Sequence, residues 1–382
     1  MKRRALFVIT GLGLGGAEKQ MVKIALGLKK RAWEVSIYSF LKQSHFQDEL
    51  KSEGIEVFSA GLINKGKSGL ADFLKIKRGL SKVVRTLEPD VLVCFMFHAY
   101  FVGRIVGHHF GLPVISSIRT EKNGWLRKVL TRLTDRMSAV TVFNSKIVAE
   151  KAISENIVKR TKARVIHNGI QIERFQYLDH IKNRKKVSQE FSIEPSSFIW
   201  IAVGRLEKPK NYPNLLSAFK LVLDHRKDTV LLIVGEGSER SYIESTIDNL
   251  GISKNVLLLG ERNDVPELLS ASDAFVLSSS WEGSPNALIE ALASGLPVVV
   301  TDVGGVREII DFLPNFNSIV SQNDSNDLAK KMMMIMNLSF ADRNELGTMG
   351  KKVALSYFNL DSVIDQYENL MFEATKKSEE GS

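Results

Sequence analysis

Short apolar runs alternate with helical patterns along most of the 382 residues, and the alternation occurs twice. In the first half we predict strands at 4–10, 34–40, 91–95, 113–117, 139–143 and 164–166, with helices at 17–30, 70–87 and 99–110. The pattern restarts with strands at 198–203, 229–234, 255–259, 274–277 and 297–300, and helices at 211–225, 239–250, 264–270 and 286–293. Continuous Val, Ile and Leu strands between helices indicate parallel sheets covered on both faces. The chain is therefore predicted to be α/β, with two doubly wound domains.

The two halves meet near 170–190, where a charged stretch at 183–186 interrupts the alternation. We place an N-terminal domain at 1–175 and a C-terminal domain at 176–382, and leave open that the final helix returns to the first domain. Residues 1–190 contain 35 Lys and Arg against 16 Asp and Glu, whereas the remainder contains 17 against 27. A basic half attracts polyanions, anionic lipid headgroups or phosphorylated acceptors, although solvated helix faces explain part of the excess.

The cysteine content and the apolar segments of the sequence indicate the cellular compartment in which the chain works. Cys94 is the single cysteine, so the chain can form no internal disulfide, which fits a reducing cytosol. The cations at 2–4 followed by an apolar run imitate a signal peptide, but glycines at 11, 13, 15 and 16 interrupt that run, as a first strand entering a glycine loop would. No segment approaches 18 apolar residues, so we expect no membrane-spanning helix.

The glycine loop contains the pattern G-x-G-x-x-G, from Gly11 to Gly16, between a predicted strand and a predicted helix. A dinucleotide site also needs an acid near the end of the second strand. The next acid after that strand is Asp48, so a dehydrogenase is disfavoured. The loop either brings a phosphate or sugar to N–H groups at a helix N-terminus or is only a tight turn, and four glycines favour the first interpretation.

Two cations follow the strand predicted at 198–203. Arg205 lies just past the strand end and Lys210 lies at the start of the next helix. Both would point into the crevice beyond the carboxyl ends of the strands, where open α/β sheets bind ligands. A diphosphate uses both the bidentate fork of arginine and the point charge of lysine. Two solvated surface cations are the structural alternative.

Two carboxylates follow the strand predicted at 274–277. Glu282 lies in the loop, and Glu290 lies about one turn into the next helix, where it could accept two ribose hydroxyls. Pro285 suits the first helical turn. A capping acid and an exposed helix acid are the structural alternative. Outward-facing N–H groups at this helix start would be anion donors: Asn286, Ala287 and Leu288.

The E-x7-E pair of Glu282 and Glu290, and the R-x4-K pair of Arg205 and Lys210, resemble glycosyltransferase family 4, the retaining GT-B transferases. The resemblance covers nearly the whole chain and is strongest over 199–310. It implies a GT-B fold of two Rossmann-like domains that face each other across a cleft. Further segments similar to the family are 234–237, 259–265, 302–305, the Gly-Gly-Ala-Glu run ending at Glu18, and a hinge at 167–170.

The resemblance also implies residue roles. Arg205 and Lys210 would bind the donor diphosphate, Glu290 the ribose, and Glu282 the transferred sugar. The backbone of Gly283, Ser284 and Asn286 would also face the sugar, Gly235 with Glu261, Arg262 and Asn263 would hold the base, and Gly15 and Gly16 would lie under the donor phosphates or the acceptor. The family needs no metal and no further cofactor, and no D-x-D pair or metal-ligand spacing occurs in the sequence.

Two departures from the family pattern matter. Gly283-Ser284-Pro285 replaces the commoner Gly-Phe-Gly, as in the W-E-G-x-P-N variant of surface polysaccharide transferases, so the donor sugar stays open. Arg119 stands where many members have histidine; arginine cannot act as a base, but it could stabilise charge or hold an acceptor phosphate. His98 lies near a second position where the family often has histidine, and a structural histidine is an equal alternative.

The family's N-terminal domain usually binds the acceptor, and here that domain is the basic one. Residues 124–137 combine a regular apolar spacing with interspersed cations and a tryptophan at the start, which is typical of a basic amphipathic helix. Such a helix would dock on an anionic membrane surface that presents a lipid-linked glycan, or would simply pack on the sheet.

The sequence thus predicts a hexosyl- or N-acetylhexosaminyltransferase that uses a nucleotide diphosphate sugar, with UDP-sugars in first place. Its acceptor would be a glycan or lipid-linked glycan of surface polysaccharide or lipopolysaccharide assembly, in the cytoplasm or at the inner face of the cytoplasmic membrane. A GT-B nucleotide-sugar epimerase and a non-catalytic nucleotide-sugar sensor stay open as alternatives. Nucleic-acid binding is not expected, because the basic half lacks interleaved aromatic platforms.

Overall fold

The computed structural model describes residues 3–13, 15–42, 45–63, 69–119, 124–313 and 318–380, the last four of these as backbone only. The chain divides into two compact units. Unit 1 is Met1–Gly169 with Leu360–Ser382, and unit 2 is Ile170–Asn359; the sequence had suggested a boundary at 175–176. Among the described residues, no helix combines the length and apolar character needed to cross a bilayer.

The described part of unit 1 contains a seven-stranded parallel sheet in the order β3-β2-β1-β4-β5-β6-β7. Its strands are β1 (Arg4–Ile9), β2 (Glu34–Leu41), β3 (Glu56–Leu62), β4 (Val91–Phe95), β5 (Val114–Ile118), β6 (Val140–Phe143) and β7 (Ala163–Val165). Its first helices are α1 (Gly16–Lys30), α2 (Gln47–Ser52), α3 (Leu70–Leu87), α4 (Phe97–His109), α5 (Trp125–Thr134) and α6 (Lys146–Ser154).

The described part of unit 2 contains a six-stranded parallel sheet in the order β10-β9-β8-β11-β12-β13. Its strands are β8 (Phe198–Val203), β9 (Thr229–Val234), β10 (Val256–Leu258), β11 (Ala274–Leu277), β12 (Val298–Thr301) and β13 (Ile319–Val320). Its helices are α7 (Glu173–Gln176), α8 (His180–Glu190), α9 (Tyr212–His225), α10 (Arg240–Asn249), α11 (Val265–Ala271), α12 (Asn286–Ala293), α13 (Gly304–Ile310), α14 (Ser325–Asn337) and α15 (Phe340–Tyr357).

Each sheet is buried on both faces, which confirms the predicted doubly wound α/β architecture. In β1, Phe7 and Ile9 belong to the hydrophobic cluster on one face of the sheet. Leu6 and Val8, which alternate with them, belong to the cluster on the other face. Successive side chains of a strand point to opposite faces, so a continuous apolar run fills two cores at once.

The charged stretch at 183–186, interpreted from the sequence as a break between the halves, lies inside helix α8. Lysine and arginine are good helix formers, and Asp179 caps the helix by accepting a hydrogen bond from the Lys182 N–H at 3.0 Å. Arg184 anchors α8 through an ion pair of 2.9 Å with Asp273 and a hydrogen bond to the Ser197 carbonyl. The stretch is therefore part of unit 2.

The final helix, α16 (Leu360–Glu380), belongs to unit 1. Its apolar residues Val363, Ile364 and Tyr367 join the core cluster that contains β1. An ideal Cβ on Gly27 of α1 would lie 2.1 Å from Ile364 Cδ1, so glycine permits the close approach of the two helices. Arg31 adds an ion pair of 3.0 Å with Glu368.

Candidate functional site

The loops with the predicted donor residues follow two neighbouring strands of unit 2. Strands β8 and β11 pair in parallel, and the strand order reverses between them, because β9 and β10 lie on one side and β12 and β13 on the other. Ligands of open α/β sheets bind beyond the carboxyl ends of the strands at such a switch point. The loops 204–211 and 278–285 therefore form the candidate site.

Lys210 and Glu282 form an ion pair in this site, with Lys210 Nζ 2.5 Å from Glu282 Oε1. Their side chains are only 19% and 12% exposed. Ser279 Oγ donates a second hydrogen bond, of 2.7 Å, to the same carboxylate oxygen. Hydrogen bonds to an ionised carboxylate are stronger than neutral ones. The structure thus brings two predicted catalytic residues together and adds Ser279, which the sequence analysis did not single out.

Backbone segments approach each other closely beside this pair. An ideal Cβ on Gly235 would lie 2.1 Å from the Gly204 carbonyl oxygen, and the φ angle of Gly235 is +142°, so only glycine fits there. Tyr212 Oη donates to the same carbonyl at 2.8 Å. Burial, and then the negative charge of Glu282, raises the pKa of Tyr212. The neutral phenol therefore fixes the start of α9 against the loop after β8.

The other two predicted donor residues lie on flanking segments. Arg205 is exposed, in a tight turn where the Glu207 N–H donates to the Arg205 carbonyl at 2.8 Å. Glu290 is half-buried on α12. The exposed guanidinium is accessible to a ligand in solution, whereas the ammonium of Lys210 is engaged by Glu282.

Helix α12 begins at Asn286, as predicted, with Pro285 immediately before it. Asn286 and Ala287 are half-buried. The Leu288 N–H, expected to face an anion, donates instead to the Pro285 carbonyl at 3.2 Å. That expectation is corrected because Pro285 precedes the helix rather than occupying its first turn, so its carbonyl caps Leu288.

The loop after Glu282 is wedged against the start of α13. Gly283 is buried and Ser284 is half-buried. An ideal Cβ on Gly305 would lie 2.0 Å from the Gly283 carbonyl oxygen, and the Gly305 N–H donates to the Glu282 carbonyl at 3.4 Å. The second glycine of the 302–305 segment therefore fixes the backbone that carries Glu282.

The loop expected to hold the base contains two exposed residues and one arginine that forms ion pairs. Glu261 and Asn263 are exposed. Arg262 is engaged by Asp264, at 2.7 Å, and by Glu190, at 2.8 Å. Hydrogen bonds to these two carboxylates raise the pKa of Arg262. Arg262 therefore ties its loop to the end of α8, and Glu261 and Asn263 are the members of the loop that a ligand can reach.

In unit 1, the glycine loop leads into α1. An ideal Cβ on Gly15 would lie 2.3 Å from Glu18 Oε2, so Gly15 makes room for a carboxylate that folds back over the helix start. Gly16 is exposed. Further along α1, Gln20 donates to the Gly169 carbonyl at 2.6 Å and accepts from its N–H at 3.0 Å. Whether Gly15 and Gly16 lie under the donor phosphates or the acceptor stays a prediction.

Arg119 is engaged on several sides within unit 1. Its Nη1 donates to Asn168 Oδ1 at 2.5 Å, its Nη2 to Tyr367 Oη at 3.3 Å, and its Nε to Ser117 Oγ at 3.1 Å. The guanidinium also lies 4.7 Å from the centre of the Phe95 ring. These contacts give Arg119 a part in fixing β5 against α16 and the hinge, and its part in catalysis stays a prediction.

His98 is exposed at the start of α4, at the carboxyl end of β4. Partial desolvation of the ring, followed by the positive charge of Arg127, lowers the pKa of His98. In the described part of the chain, no group of three or more His, Cys, Asp or Glu is arranged to hold a metal ion.

Two family models match the chain: "Glycosyltransferase Family 4" over residues 14–174 and "Glycosyl transferases group 1" over residues 183–353. The UDP-Gal:alpha-D-GlcNAc-diphosphoundecaprenol alpha-1,3-galactosyltransferase of Escherichia coli is 33% identical over 263 residues, which span 63% of this chain and 66% of that protein. The alignment thus falls just short of two thirds of that relative.

A longer alignment joins the chain to the N-acetylgalactosamine-N,N'-diacetylbacillosaminyl-diphospho-undecaprenol 4-alpha-N-acetylgalactosaminyltransferase of Campylobacter jejuni. It is 25% identical and spans 92% of this chain and 95% of that protein. Among solved structures, Anabaena HepE in complex with UDP and glucose superposes with a TM-score of 0.85 at 20% identity, covering 97% of this chain and 100% of HepE. At that identity the likeness shows the fold.

Proposed function

This chain belongs to the GT-B glycosyltransferases of the family 4 type, and from that membership we propose that it transfers a sugar from a nucleotide diphosphate sugar to a glycan or lipid-linked glycan. The product would be part of a cell-surface polysaccharide or lipopolysaccharide. The observation that carries the proposal is the ion pair of the half-buried Lys210 and Glu282 at the switch point of unit 2. Arg205 and Glu290 lie on the segments beside it.

The proposed chemistry places growing charge next to these cations. When the sugar is transferred, the nucleoside diphosphate leaves and negative charge grows on its oxygens. Lys210 exchanges its Glu282 partner for a phosphate oxygen, Arg205 offers a second, bidentate partner, and the released Glu282 carboxylate accepts hydrogen bonds from sugar hydroxyls. Cations that bind the transition state more tightly than the ground state accelerate the reaction. Removing either is expected to lower turnover by about 10²–10³.

The donor and the stereochemistry follow from the same reasoning. We propose a UDP-sugar, supported by the UDP-Gal in the name of the Escherichia coli relative and by the UDP bound to HepE. That relative makes an α linkage, and UDP-galactose carries its sugar in the α configuration, so retention is proposed here too. Arg205 and Lys210 supply at the diphosphate the positive charge that a metal would otherwise bring, and the proposed reaction needs no further cofactor.

Thermal stabilisation by a panel of UDP-, GDP-, ADP- and dTDP-sugars tests the donor site. A ligand at about 100 times its Kd adds roughly 2.7 kcal/mol to the unfolding free energy, which raises the melting temperature by several degrees. We expect one UDP-sugar to give such a shift, and Glu290→Ala to reduce it. Glu345→Ala, an exposed glutamate of α15 in the same unit, is the matched control and should keep the full shift. No shift with any donor would contradict the proposal.

The proposal for the acceptor is based on an unusual orientation of helix α5. Its buried side chains are the polar residues Thr131 and Thr134. Four of its five apolar side chains are exposed and the fifth, Leu130, is half-buried, whereas an ordinary helix packed on the sheet would bury its apolar face. The exposed residues are Trp125 at 76%, Leu126 at 54%, Val129 at 42% and Leu133 at 65%.

Positive charge surrounds this outward apolar face. Arg132 and Arg136 are exposed beside it, and unit 1 as a whole contains 32 Lys and Arg against 19 Asp and Glu, whereas unit 2 contains 20 against 24. An apolar face bordered by cations suits the interface of an anionic leaflet. Both relatives named above act on undecaprenol-linked sugars. We therefore propose peripheral binding to the inner face of the cytoplasmic membrane through 124–137.

Co-sedimentation with vesicles tests the membrane proposal. We expect binding to phosphatidylglycerol-containing vesicles, little binding to pure phosphatidylcholine, and release as salt rises, because surface charges are screened. Leu133→Ser should weaken binding several-fold. Phe340→Ser, which removes an exposed apolar residue of unit 2, is the control and should bind as the unaltered chain does. Equal loss in both variants, or no vesicle binding, would contradict docking through α5.

A further inference from the structure

A run of three serines, Ser278 to Ser280, lies between the end of β11 and Glu282. Ser278 and Ser279 are 3% and 0% exposed. Buried hydroxyls without partners are costly, so their partners indicate what holds them in place.

The first and third serines bind the loop that carries Lys210. Ser278 Oγ donates to the Lys210 carbonyl at 3.0 Å, with the Asn211 carbonyl at 3.2 Å. The Ser280 N–H donates to the Pro209 carbonyl at 2.9 Å. The backbone on both sides of Lys210 is thus held by the serine run, although 67 or more residues separate the two segments in sequence.

The middle serine faces the other functional group. Ser279 Oγ donates to Glu282 Oε1, and the Ser279 carbonyl accepts from Thr301 Oγ1 at 2.6 Å. In the free protein Glu282 has both Lys210 and Ser279 as partners. The Ser279 hydroxyl is thus a partner of the Glu282 carboxylate that does not depend on the ion pair with Lys210.

From this division of contacts we propose that Ser278 and Ser279 are separate positioning residues for the two halves of the donor. Ser278 positions Lys210 for the diphosphate, and Ser279 positions Glu282 for the transferred sugar after Lys210 has moved. The inference rests on the proposed function, because it presumes that a nucleotide sugar binds between these groups. Adjacent serines would then set nucleotide affinity and sugar affinity independently.

The test compares the Kd of UDP with the Kd of the UDP-sugar selected by the thermal panel, measured by calorimetry on the full chain. Ser278→Ala is expected to weaken both about tenfold, the effect of one hydrogen bond in a charged site. Ser279→Ala is expected to weaken the UDP-sugar about tenfold and UDP by less than about twofold. Ser272→Ala removes a buried hydroxyl elsewhere in unit 2, bonded to the Leu268 carbonyl at 2.8 Å, and should change neither.

A double-mutant cycle separates positioning from a general loss of stability. If Ser279 acts through Glu282, Ser279→Ala will not change the ratio of the two dissociation constants further in a Glu282→Ala background. An equal loss of UDP and UDP-sugar affinity in Ser279→Ala, or an additive effect in the cycle, would overturn the inference while leaving the proposed function standing. Failure of the unaltered chain to bind any nucleotide would overturn both.

Discussion

At the scale of single residues, two glycines allow the cost of backbone strain to be distinguished from the cost of a steric clash. Gly235 and Gly251 both have positive φ angles, +142° and +65°, but only Gly235 has a backbone atom, the Gly204 oxygen, within 2.1 Å of an ideal Cβ. We expect Gly251→Ala to cost about 1 kcal/mol of unfolding free energy, and Gly235→Ala to cost at least about 3 kcal/mol and to abolish nucleotide binding. Urea unfolding with UDP titration would measure both, and equal costs would contradict the steric argument.

The imidazole of His98 should titrate below the ordinary value of 6.5, because desolvation and Arg127 lower its pKa. The unfolded chain then takes up a proton before the folded chain does, so stability is lost as the pH falls below about 6.5. An NMR titration of the His98 ring should give a midpoint below 6.5. Arg127→Gln should raise it part of the way, since desolvation persists.

The control for this titration is Arg132→Gln, on the same helix and not among the causes of the shift. It should leave the midpoint unchanged. A midpoint at or above 6.5 in the unaltered chain would contradict the expectation that desolvation and Arg127 lower the pKa of His98.

At the scale of elements, α5 is held by a buried arginine rather than by apolar packing. Arg104 is fully buried, and its Nη1 donates to the Thr131 carbonyl at 3.0 Å and to Thr134 Oγ1 at 3.1 Å. Its Nε donates to Ser116 Oγ on β5 at 2.9 Å. We expect Arg104→Leu to lower the unfolding free energy by roughly 3 kcal/mol and to speed amide hydrogen exchange over 125–137.

Hydrogen exchange followed by mass spectrometry would locate that effect. Arg78→Leu, an exposed position on α3, should change stability by no more than about 0.5 kcal/mol and leave the exchange of α5 as it is. Unchanged exchange over 125–137 in Arg104→Leu would mean that other contacts dock the helix.

The elements also show why sequence patterns predicted some features and missed others. The strands at 91–95, 198–203, 229–234 and 274–277 were predicted with their observed bounds, because continuous buried apolar runs have few alternatives. Strand β3 was missed because it lies at the sheet edge, where Ala60 is its only buried residue.

Long-range polar contacts were missed for a different reason. The donor motif was visible because family resemblance links Glu282 and Glu290 at a fixed spacing. Arg104, Gln20 and Ser279 are polar residues that usually lie at the surface, and nothing local in the sequence marks them as buried. Gln20 meets Gly169 across 149 positions, a separation over which periodicity carries no information. The partners that fix the site therefore needed coordinates.

At the scale of the whole molecule, unit 2 is inserted into unit 1, because the chain enters unit 2 after Gly169 and returns to unit 1 at Leu360. Within each unit, the residues next to these two connections lie close together. In unit 1, an ideal Cβ on Gly169 would lie 2.8 Å from the Leu360 Cα. In unit 2, the Ile170 N–H donates to the Phe358 carbonyl at 2.8 Å. In each unit, the two residues at which the chain would be cut therefore lie side by side, which is typical of a domain that can be expressed alone.

We expect residues 170–359, expressed alone, to fold and to bind UDP with the affinity of the full chain, because both loops of the candidate site and the core around them come from that segment. Residues 1–169 alone should fail to fold, since they lack the α16 residues Val363, Ile364 and Tyr367 that fill the core around β1. Joining 169 to 360 through a short glycine-serine linker should restore a folded unit 1. Circular dichroism and thermal melting of the three chains would measure this, and cooperative folding of 1–169 without α16 would contradict the assignment of the last helix to the core of unit 1.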